Sequence, residues 1–490
     1  MNKALMQKAN RVKVLHGKED KRKEFIDRLI DRNGLVMEVG TQNIFRYNQE
    51  SGIYCLCEKL DIYGLIYASF GRTSVSQKMF GELYTNIWAA LFNMNQVKLD
   101  SCQDIINVKN GIYSLKDDKL YPHSPKYYSS VQLDIELPTT EDKSIDVDMV
   151  KHKYRGGQFD KFFSQFTNGD ENAKELLLRF FGLMMSNIPG YSVKKGLFLV
   201  SKKGNTGKSL LKNLITDIVG RQHTMNLDLQ QLEGRWGTGL CYKKRIVGSG
   251  DQSTTGIREL AVFKQMTGGD VLFAEKKGKD GFSYVFDGVF FACANQMPRF
   301  GGDKGDHLYD RFVIFEPQYS VPYEKQDRKL LDKLKNEKVY VAVLAIEALK
   351  RLINDDMILP DIEVTKKARM TYRRDNNSFA TFCEECVIPL HRNRPRTFAV
   401  SCKTLFDIYR SWCQYNNYGA SMPRKECIQM LKDAGLGRIM TYTGFNYFTQ
   451  VTLKEESIDD YKKDNEAIRI MRDIPKNDNW GTDKKEIKLT

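Results

Sequence analysis

The chain has 490 residues, 41% of them hydrophobic, and 76 Lys and Arg against 62 Asp and Glu, for a formal net charge of +14. That length predicts two to four globular domains. The lack of any apolar run of about 18 residues, or of an apolar stretch near the N-terminus, argues against a membrane span and a signal peptide. The positive excess favours a polyanionic partner, nucleic acid ahead of an anionic membrane surface, unless it serves solubility alone. Ten cysteines without paired spacing fit a reducing cytoplasm rather than a disulfide framework.

Residues 1–33 are densely charged and read as helical or partly disordered. Between 34 and 135, short strand-like runs (Leu35–Val39, Ile53–Leu56) mix with a helix-like one (Phe80–Phe92), and the turn-rich, aromatic stretch from Asn110 reads as a small β module. The charged stretch Glu136–Lys153 is expected to be a linker, so 1–153 forms an N-terminal α+β region with its linker. Asp146 and Asp148 within it have the Asp-x-Asp look of a primase metal site. No clear strand precedes them and no Ser-x-His lies nearby, so the linker reading is preferred. A helical collar is expected over 154–195, with a turn at Asn168–Asp170 and Asp170 as N-cap of its second helix.

The next segment, GLFLVSKKGNTGKS from Gly196, is the most informative in the chain. A buried strand, a glycine turn, Lys208-Ser209 and a helix-period run (Leu210–Val219) form the phosphate-binding loop arrangement. Backbone N–H groups of Gly204, Asn205, Thr206 and Gly207 would converge on phosphate oxygens, aided by the helix N-terminus. Lys208 would reach the β- and γ-phosphates of ATP, and Ser209 would ligate Mg²⁺. Lys202 stands where the motif has its first glycine, and Gly204 is expected to supply the flexibility. The alternative is an ordinary turn between a strand and a helix.

Short strands then alternate with helix-like segments to about residue 318, the habit of an α/β domain. Asp251 ends one strand and would hold Mg²⁺, unless it is a simple turn aspartate. A hairpin with Lys276, Lys277 and Lys279 near its Gly278–Gly281 tip suits contact with nucleic-acid phosphates, or equally a lysine-protected edge hairpin. Asn295 ends the apolar run Val289–Ala294 and would orient water or touch the γ-phosphate. Arg311 precedes another strand. It would stabilise transition-state charge at a neighbour's nucleotide, or form a local ion pair with Asp310 or Asp306.

Val339–Ile353 reads as an amphipathic helix, and the core unit is taken as 196–360. Residues 361–453 form a third unit of helices followed by β-type runs flanking a Thr443–Asn446 turn, and the charged tail covers 454–490. Cys383 and Cys386 make a CxxC. Zinc would need two further ligands, and Cys402 and Cys413 lie on an apolar helical pattern, so core cysteines are expected. The six histidines show no ligand spacing. Arg424 and Lys425 open a helix with Pro423 in its first turn. A basic helix followed by a hairpin suits docking in the DNA major groove, and a lid packed on the preceding domain is the alternative.

Taken in order, GNTGKS, GDQ, KQMTGGD with its lysine hairpin, ACANQMPRF and DRFVIF resemble superfamily 3 helicases, more narrowly the satellite-phage and poxvirus primase-helicase group. The resemblance covers roughly residues 100–453 and, without a primase module, is nearest to replication initiators of staphylococcal pathogenicity islands. It implies an α/β fold: an AAA+-like P-loop ATPase core with an N-terminal α+β region and a C-terminal winged-helix-like domain. It also implies a homo-oligomer, usually a hexamer, in the cytoplasm of a bacterial host. Its function would be an ATP-driven helicase on single- and double-stranded DNA that recognises a replication origin. Lys208 and Ser209 would take the Walker A roles, Asp251 the Walker B role, Asn295 the sensor role and Arg311 the finger role in trans. Gln252 stands where many relatives have a second acid, and Glu259 is a candidate substitute. Two alternatives stay open: a DNA-binding ATPase that loads another helicase, and an initiator whose P-loop has decayed.

Overall fold

The computed structural model describes residues 21–70, 76–275, 281–301, 306–390, 400–418, 420–442, 444–454 and 456–457. After a helix over residues 21–33 come strands β1 (Leu35–Glu38), β2 (Ile44–Asn48) and β3 (Ile53–Cys57). The helices Lys59–Ser69 and Gln77–Met94 and strand β4 (Gln96–Val97) follow, and the sheet runs β3-β2-β1-β4. Strand alternation gives the sheet two buried faces. Leu35 and Met37 face the unit's own helices with Ile62, Ile66, Ile87 and Leu91, whereas Val36 and Phe45 face the central unit. The small β module is present as an antiparallel meander of β5 (Ile105–Val108), β6 (Gly111–Ser114) and β7 (Leu120–Tyr121).

The stretch expected as a linker is instead ordered. It contains the helix Val147–Tyr154, with Asp146 as N-cap accepting from Met149 N at 3.0 Å, Val150 fully buried and Lys151 paired with Glu347 at 2.8 Å. Asp146 thus has a structural use.

Strands β8 (Gly196–Val200), β9 (Thr224–Met225) and β10 (Ile246–Val247) precede a separate hairpin, β11 (Val271–Ala274) with β12 (Phe282–Val285). Strands β13 (Val289–Ala294) and β14 (Phe312–Phe315) complete the main sheet, ordered β14-β8-β13-β10-β9 and parallel throughout. The strands are apolar on both sides because both faces are covered. Leu197, Leu199, Phe291, Val313 and Phe315 meet the collar helices Gln158–Phe166 and Glu171–Met185, the helix Lys208–Val219 and the helix Lys338–Asn354. Phe198, Phe290, Phe312 and Ile314 meet Phe263, Met266 and Tyr372. The collar is therefore one wall of the central core rather than a separate layer.

The helix Glu363–Asp375, expected in the third unit, also belongs to the centre. Tyr372 packs against Phe300, Tyr309 and Phe312 and donates to Pro298 O at 2.7 Å. The break comes at Asn376, fully buried, which accepts from Phe300 N at 2.8 Å and donates to Tyr309 OH at 2.9 Å. Beyond it lie the helix Ser378–Cys386, β15 (Val387–Pro389), β16 (Val400–Ser401), and the helices Cys402–Tyr415 and Arg424–Asp433. Strands β17 (Ile439–Tyr442), β18 (Phe445–Phe448) and β19 (Val451–Leu453) close the unit, with sheets β16-β18-β17 and β15-β19. Phe445 and Asn446, expected in the turn, start β18, and Tyr442 already pairs with Phe445. Cys383, Cys386, Cys402 and Cys413 are buried in this unit's apolar core, as the helical pattern predicts. Among the described residues no helix is long and apolar enough to cross a membrane.

Candidate functional site

The loop after β8 turns back through two left-handed residues, Asn205 (φ 58°) and Gly207 (φ 87°). At Gly207 the glycine is required twice over. A Cβ there would lie 2.7 Å from the Phe162 ring, in a backbone conformation that side chains disfavour. Gly204, expected to supply the flexibility, is not left-handed. Its carbonyl accepts from Ser320 Oγ at 2.7 Å and that of Asn205 from Val321 N at 3.0 Å, so the segment after β14 straps the loop in place. Lys202 is exposed, and the loop closes without a glycine there.

The loop opens onto a cavity of about 780 Å³ that also receives Asp251 and Asn295. Parallel strand ends set these positions. Ala294 O accepts from Ser201 N at 3.1 Å, Ser249 O from Cys293 N at 2.8 Å and Cys293 O from Gln252 N at 2.8 Å. Ser249 Oγ accepts from Asp251 N at 3.0 Å and donates to Asp251 O at 2.7 Å, fixing that turn. Lys208 is buried and donates to Ser201 O at 3.1 Å. Burial pulls its ammonium below the ordinary lysine range, partly offset by Cys293 and Asp251. The Thr206 hydroxyl is buried in the loop with no hydrogen-bond partner among the described residues. An unsatisfied buried hydroxyl costs about 1–3 kcal/mol, which an anionic acceptor in the cavity would relieve.

The donor set also suits one particular metal class. Ser209 and Asp251 line the same cavity, and among the described residues no three His, Cys, Asp or Glu converge as a cage. One hydroxyl and one carboxylate suit Mg²⁺ completed by phosphates and water.

Gln252, at the position of the relatives' second acid, and its candidate substitute Glu259 both lie outside this cavity's lining. The Gln252 side chain is buried, accepting from Leu229 N at 3.1 Å and donating to Ser253 O at 3.3 Å, which bridges two loops of the core. Glu259 is not among the cavity-lining residues. Its charge acts on Glu233, which caps the helix Ala261–Gly268 by accepting from Val262 N and Phe263 N at 2.9 Å and is pushed up to about 7 by burial.

Arg311 is not in this cavity either. It precedes β14, and its carbonyl accepts from Gly196 N at 2.8 Å, which puts it at the opposite end of the sheet from the loop. Its guanidinium donates to Lys264 O at 2.7 Å and Thr267 Oγ1 at 2.8 Å, while Nε is buried without a partner among the described residues. Asp310 pairs instead with Arg369 at 3.7 Å. Lys276, Lys277 and Lys279 lie outside the described residues. Strand β11, which leads into them, is held near its far end by Arg235–Glu275 (2.7 Å) and Thr238 Oγ1 to Phe273 O (2.7 Å). Arg424 and Lys425 are exposed in the first turn of Arg424–Asp433, with Pro423 just before it and Arg424 stacked 5.1 Å over Phe406.

Sequence reasoning missed two groups here. Lys212 is buried one turn beyond Lys208, donates to Gly248 O and is pulled down to about 8 by burial, tying the loop's helix to the end of β10. A lysine on the apolar face of that helix was the available signal. Gln158, Lys161, Gln165 and Tyr319 also line the cavity. No local motif marks them, because they arrive from remote segments.

Comparison with known proteins matches two separate segments of the chain. Residues 25–167 match a family described as D5 N terminal like, and residues 199–311 match a family of unknown function, DUF5906. Among solved structures, the A form apo structure of the NrS-1 C terminal region is 12% identical with a TM-score of 0.44, covering 85% of this chain and 96% of that one. The apo structure of the same region has the same identity and TM-score, covering 85% and 95%. The chain is therefore similar to the D5 N-terminal-like family ahead of the collar's second helix, and to a family of unknown function across the segment that contributes Lys208, Asp251 and Asn295 to the cavity.

Proposed function

We propose that this chain is an ATP-dependent DNA helicase and replication initiator of the superfamily 3 type, working as a homo-oligomer, a hexamer by the resemblance. One observation carries the reading. Lys208, Ser209, Asp251 and Asn295, drawn from three strand ends, line a single cavity beside the unsatisfied hydroxyl of Thr206. The sheet order supports it. Strand β13, ending in Asn295, lies between the loop strand β8 and β10, the strand that leads to Asp251, as in AAA+-like ATPases. The D5 N-terminal-like match upstream accords with a replication protein.

The loop's backbone amides and Lys208 would bind the β- and γ-phosphates, Lys208 exchanging Ser201 O for phosphate oxygen. Mg²⁺ held by Ser209 and Asp251 would neutralise charge on those oxygens. Asn295 would hold the attacking water against the γ-phosphate. Arg311, at the far end of the sheet, would serve a neighbouring subunit's cavity. The hairpin lysines would contact single-stranded DNA. The C-terminal unit, three helices with the β17–β18 hairpin as wing, would dock on origin duplex through Arg424 and Lys425.

The test is strand displacement on duplexes with 3′ or 5′ tails, with ATP and with a non-hydrolysable analogue. ATP-dependent displacement from one tail, lost in Lys208→Ala, supports the helicase. Turnover without displacement on either tail moves the loader reading ahead. Wild-type turnover in Lys208→Ala removes the site assignment.

A further inference from the structure

The helix Lys208–Val219 carries two buried lysines one turn apart, and the phosphate-site reading accounts for Lys208 alone. Lys212 sits among Leu211, Leu214, Ile215 and Ile218, all fully buried. Its ammonium makes no ion pair among the described residues. Its contacts are one hydrogen bond, to Gly248 O, and the Phe291 ring at 5.8 Å. A buried charge without an opposite partner is costly, and an apolar side chain would fill this position at less cost. Stability therefore does not explain the lysine, and the carbonyl it holds does. We propose that Lys212 is a positioning residue for the metal: through Gly248 it sets the Asp251 carboxylate against the Ser209 hydroxyl, so that Mg²⁺ can be held between them. The proposal rests on the reading of that pair as the Mg²⁺ site.

Gly248 follows β10 directly, and its N–H donates to Met225 O, at the end of β9, at 3.0 Å. At φ 147° its backbone lies so close to β13 that a Cβ would come 2.2 Å from Phe291 O. Glycine is required there, and its carbonyl is bonded by Lys212. The turn that follows is held from several sides. Ser249 O accepts from Cys293 N at 2.8 Å, Gly250 N donates to Asn226 Oδ1 at 2.9 Å, and the Ser249 hydroxyl fixes Asp251. All of these supports belong to the sheet and its loops. Among the described residues, Lys212 is the side chain that bonds this segment from the helix bearing Ser209. Ser209 lies three residues before Lys212, and Asp251 three residues after Gly248, so one hydrogen bond links the two segments that would share the metal.

Removing the ammonium has opposite effects on the fold. It abolishes an unpaired buried charge, and it leaves Gly248 O without its donor. These offset each other, so stability should change little. The segment leading to Asp251, by contrast, loses its tie to the helix, and supports of that kind are worth about 10–100-fold in metal affinity. A lysine that merely held the fold would behave the other way round, with stability lost and the metal response kept.

The experiment is calorimetric titration of the full chain with a non-hydrolysable ATP analogue, in Mg²⁺ and in EDTA, beside urea unfolding. Wild type should bind the analogue more tightly in Mg²⁺. Lys212→Met should bind it as wild type does in EDTA, lose about tenfold of the tightening by Mg²⁺, and unfold at nearly the wild-type urea concentration. Ser249→Ala frees the same turn from its other side and should give the same pattern. The double variant should lose less than the product of the two losses, because both act on one turn. Full Mg²⁺ tightening in Lys212→Met overturns the proposal. So does a Lys212→Met chain that unfolds in much less urea, or that loses analogue affinity equally in Mg²⁺ and EDTA, since either makes Lys212 a residue that holds the fold. Wild type that binds the analogue equally well in both solutions would remove the Mg²⁺ site and the proposal while leaving the phosphate loop standing. Wild type that binds it in neither would overturn the phosphate site itself.

Discussion

Replacing Lys243 with Met should loosen the N-terminal unit from the central core. Lys243 Nζ lies 2.6 Å from Glu38 Oε1 and 3.1 Å from Asp100 Oδ2, and Tyr242 OH bonds the other Glu38 oxygen. The carboxylates are about nine-tenths buried, at 10% and 11% side-chain exposure, so neither can turn to water when the ammonium goes. Burial pulls Lys243 down, yet Asp100 and Glu38 outweigh it and hold the ammonium above its ordinary range. Burial likewise pushes Asp100 up, while Lys243 and two hydrogen bonds from Ser130 hold it below the usual carboxylate range. Removing one member of such a group costs about 3–5 kcal/mol, chiefly because the other charges stay buried and unpaired. Met keeps the stem's volume and the left-handed backbone at that position (φ 57°), so the loss reports charge. Without the ammonium, burial is left to push the folded Asp100 carboxyl above its unfolded value. The folded variant then binds more protons than the unfolded chain, and its deficit should shrink as pH falls from 7 towards 4.5. Urea unfolding at both pH values measures this. A loss under about 1 kcal/mol at pH 7, or one independent of pH, would refute the reasoning.

His223 is buried, and burial pulls it down to about 4. The unfolded chain therefore takes up the proton first, and stability should fall by roughly 3 kcal/mol as pH drops from about 6.5 to 4. His223→Gln should flatten that slope in acid-unfolding curves. Mixing Arg311→Ala with Lys208→Ala subunits should recover part of the ATP turnover each lacks, since one mixed interface then carries both groups. No recovery at any ratio would place Arg311's role within its own chain, where it already braces Lys264 and Thr267. Alanine at Lys276, Lys277 and Lys279 together should reduce strand displacement at least tenfold more than basal hydrolysis, if the phosphates they neutralise are those of DNA, as proposed. Equal losses in both assays would return the hairpin to a structural part.

The strand, glycine turn and helix around Gly207-Lys208-Ser209 were legible because they lie within one stretch of chain. The partners Asp251 and Asn295 were legible because each ends an apolar run, and parallel strands bring such ends to one edge of a sheet. What polarity and periodicity could not disclose was which surfaces meet. The stretch 136–153 looked like a linker because it is charged, yet Val150 is buried and Lys151 has a partner far along the chain. The helix Glu363–Asp375 looked like part of the last unit, yet Tyr372 belongs to the central core. Gln252 occupied the position of an acid, and only packing turned its amide to Leu229. By itself, then, the sequence determined the strand, glycine turn and helix around Lys208 and the positive charge, which depend on neighbours within a few residues. Tertiary structure alone decided that the collar walls the cavity, that Tyr319 and Gln165 reach it, and that Arg311 does not. Those placements depend on how buried faces pair across more than a hundred residues of chain.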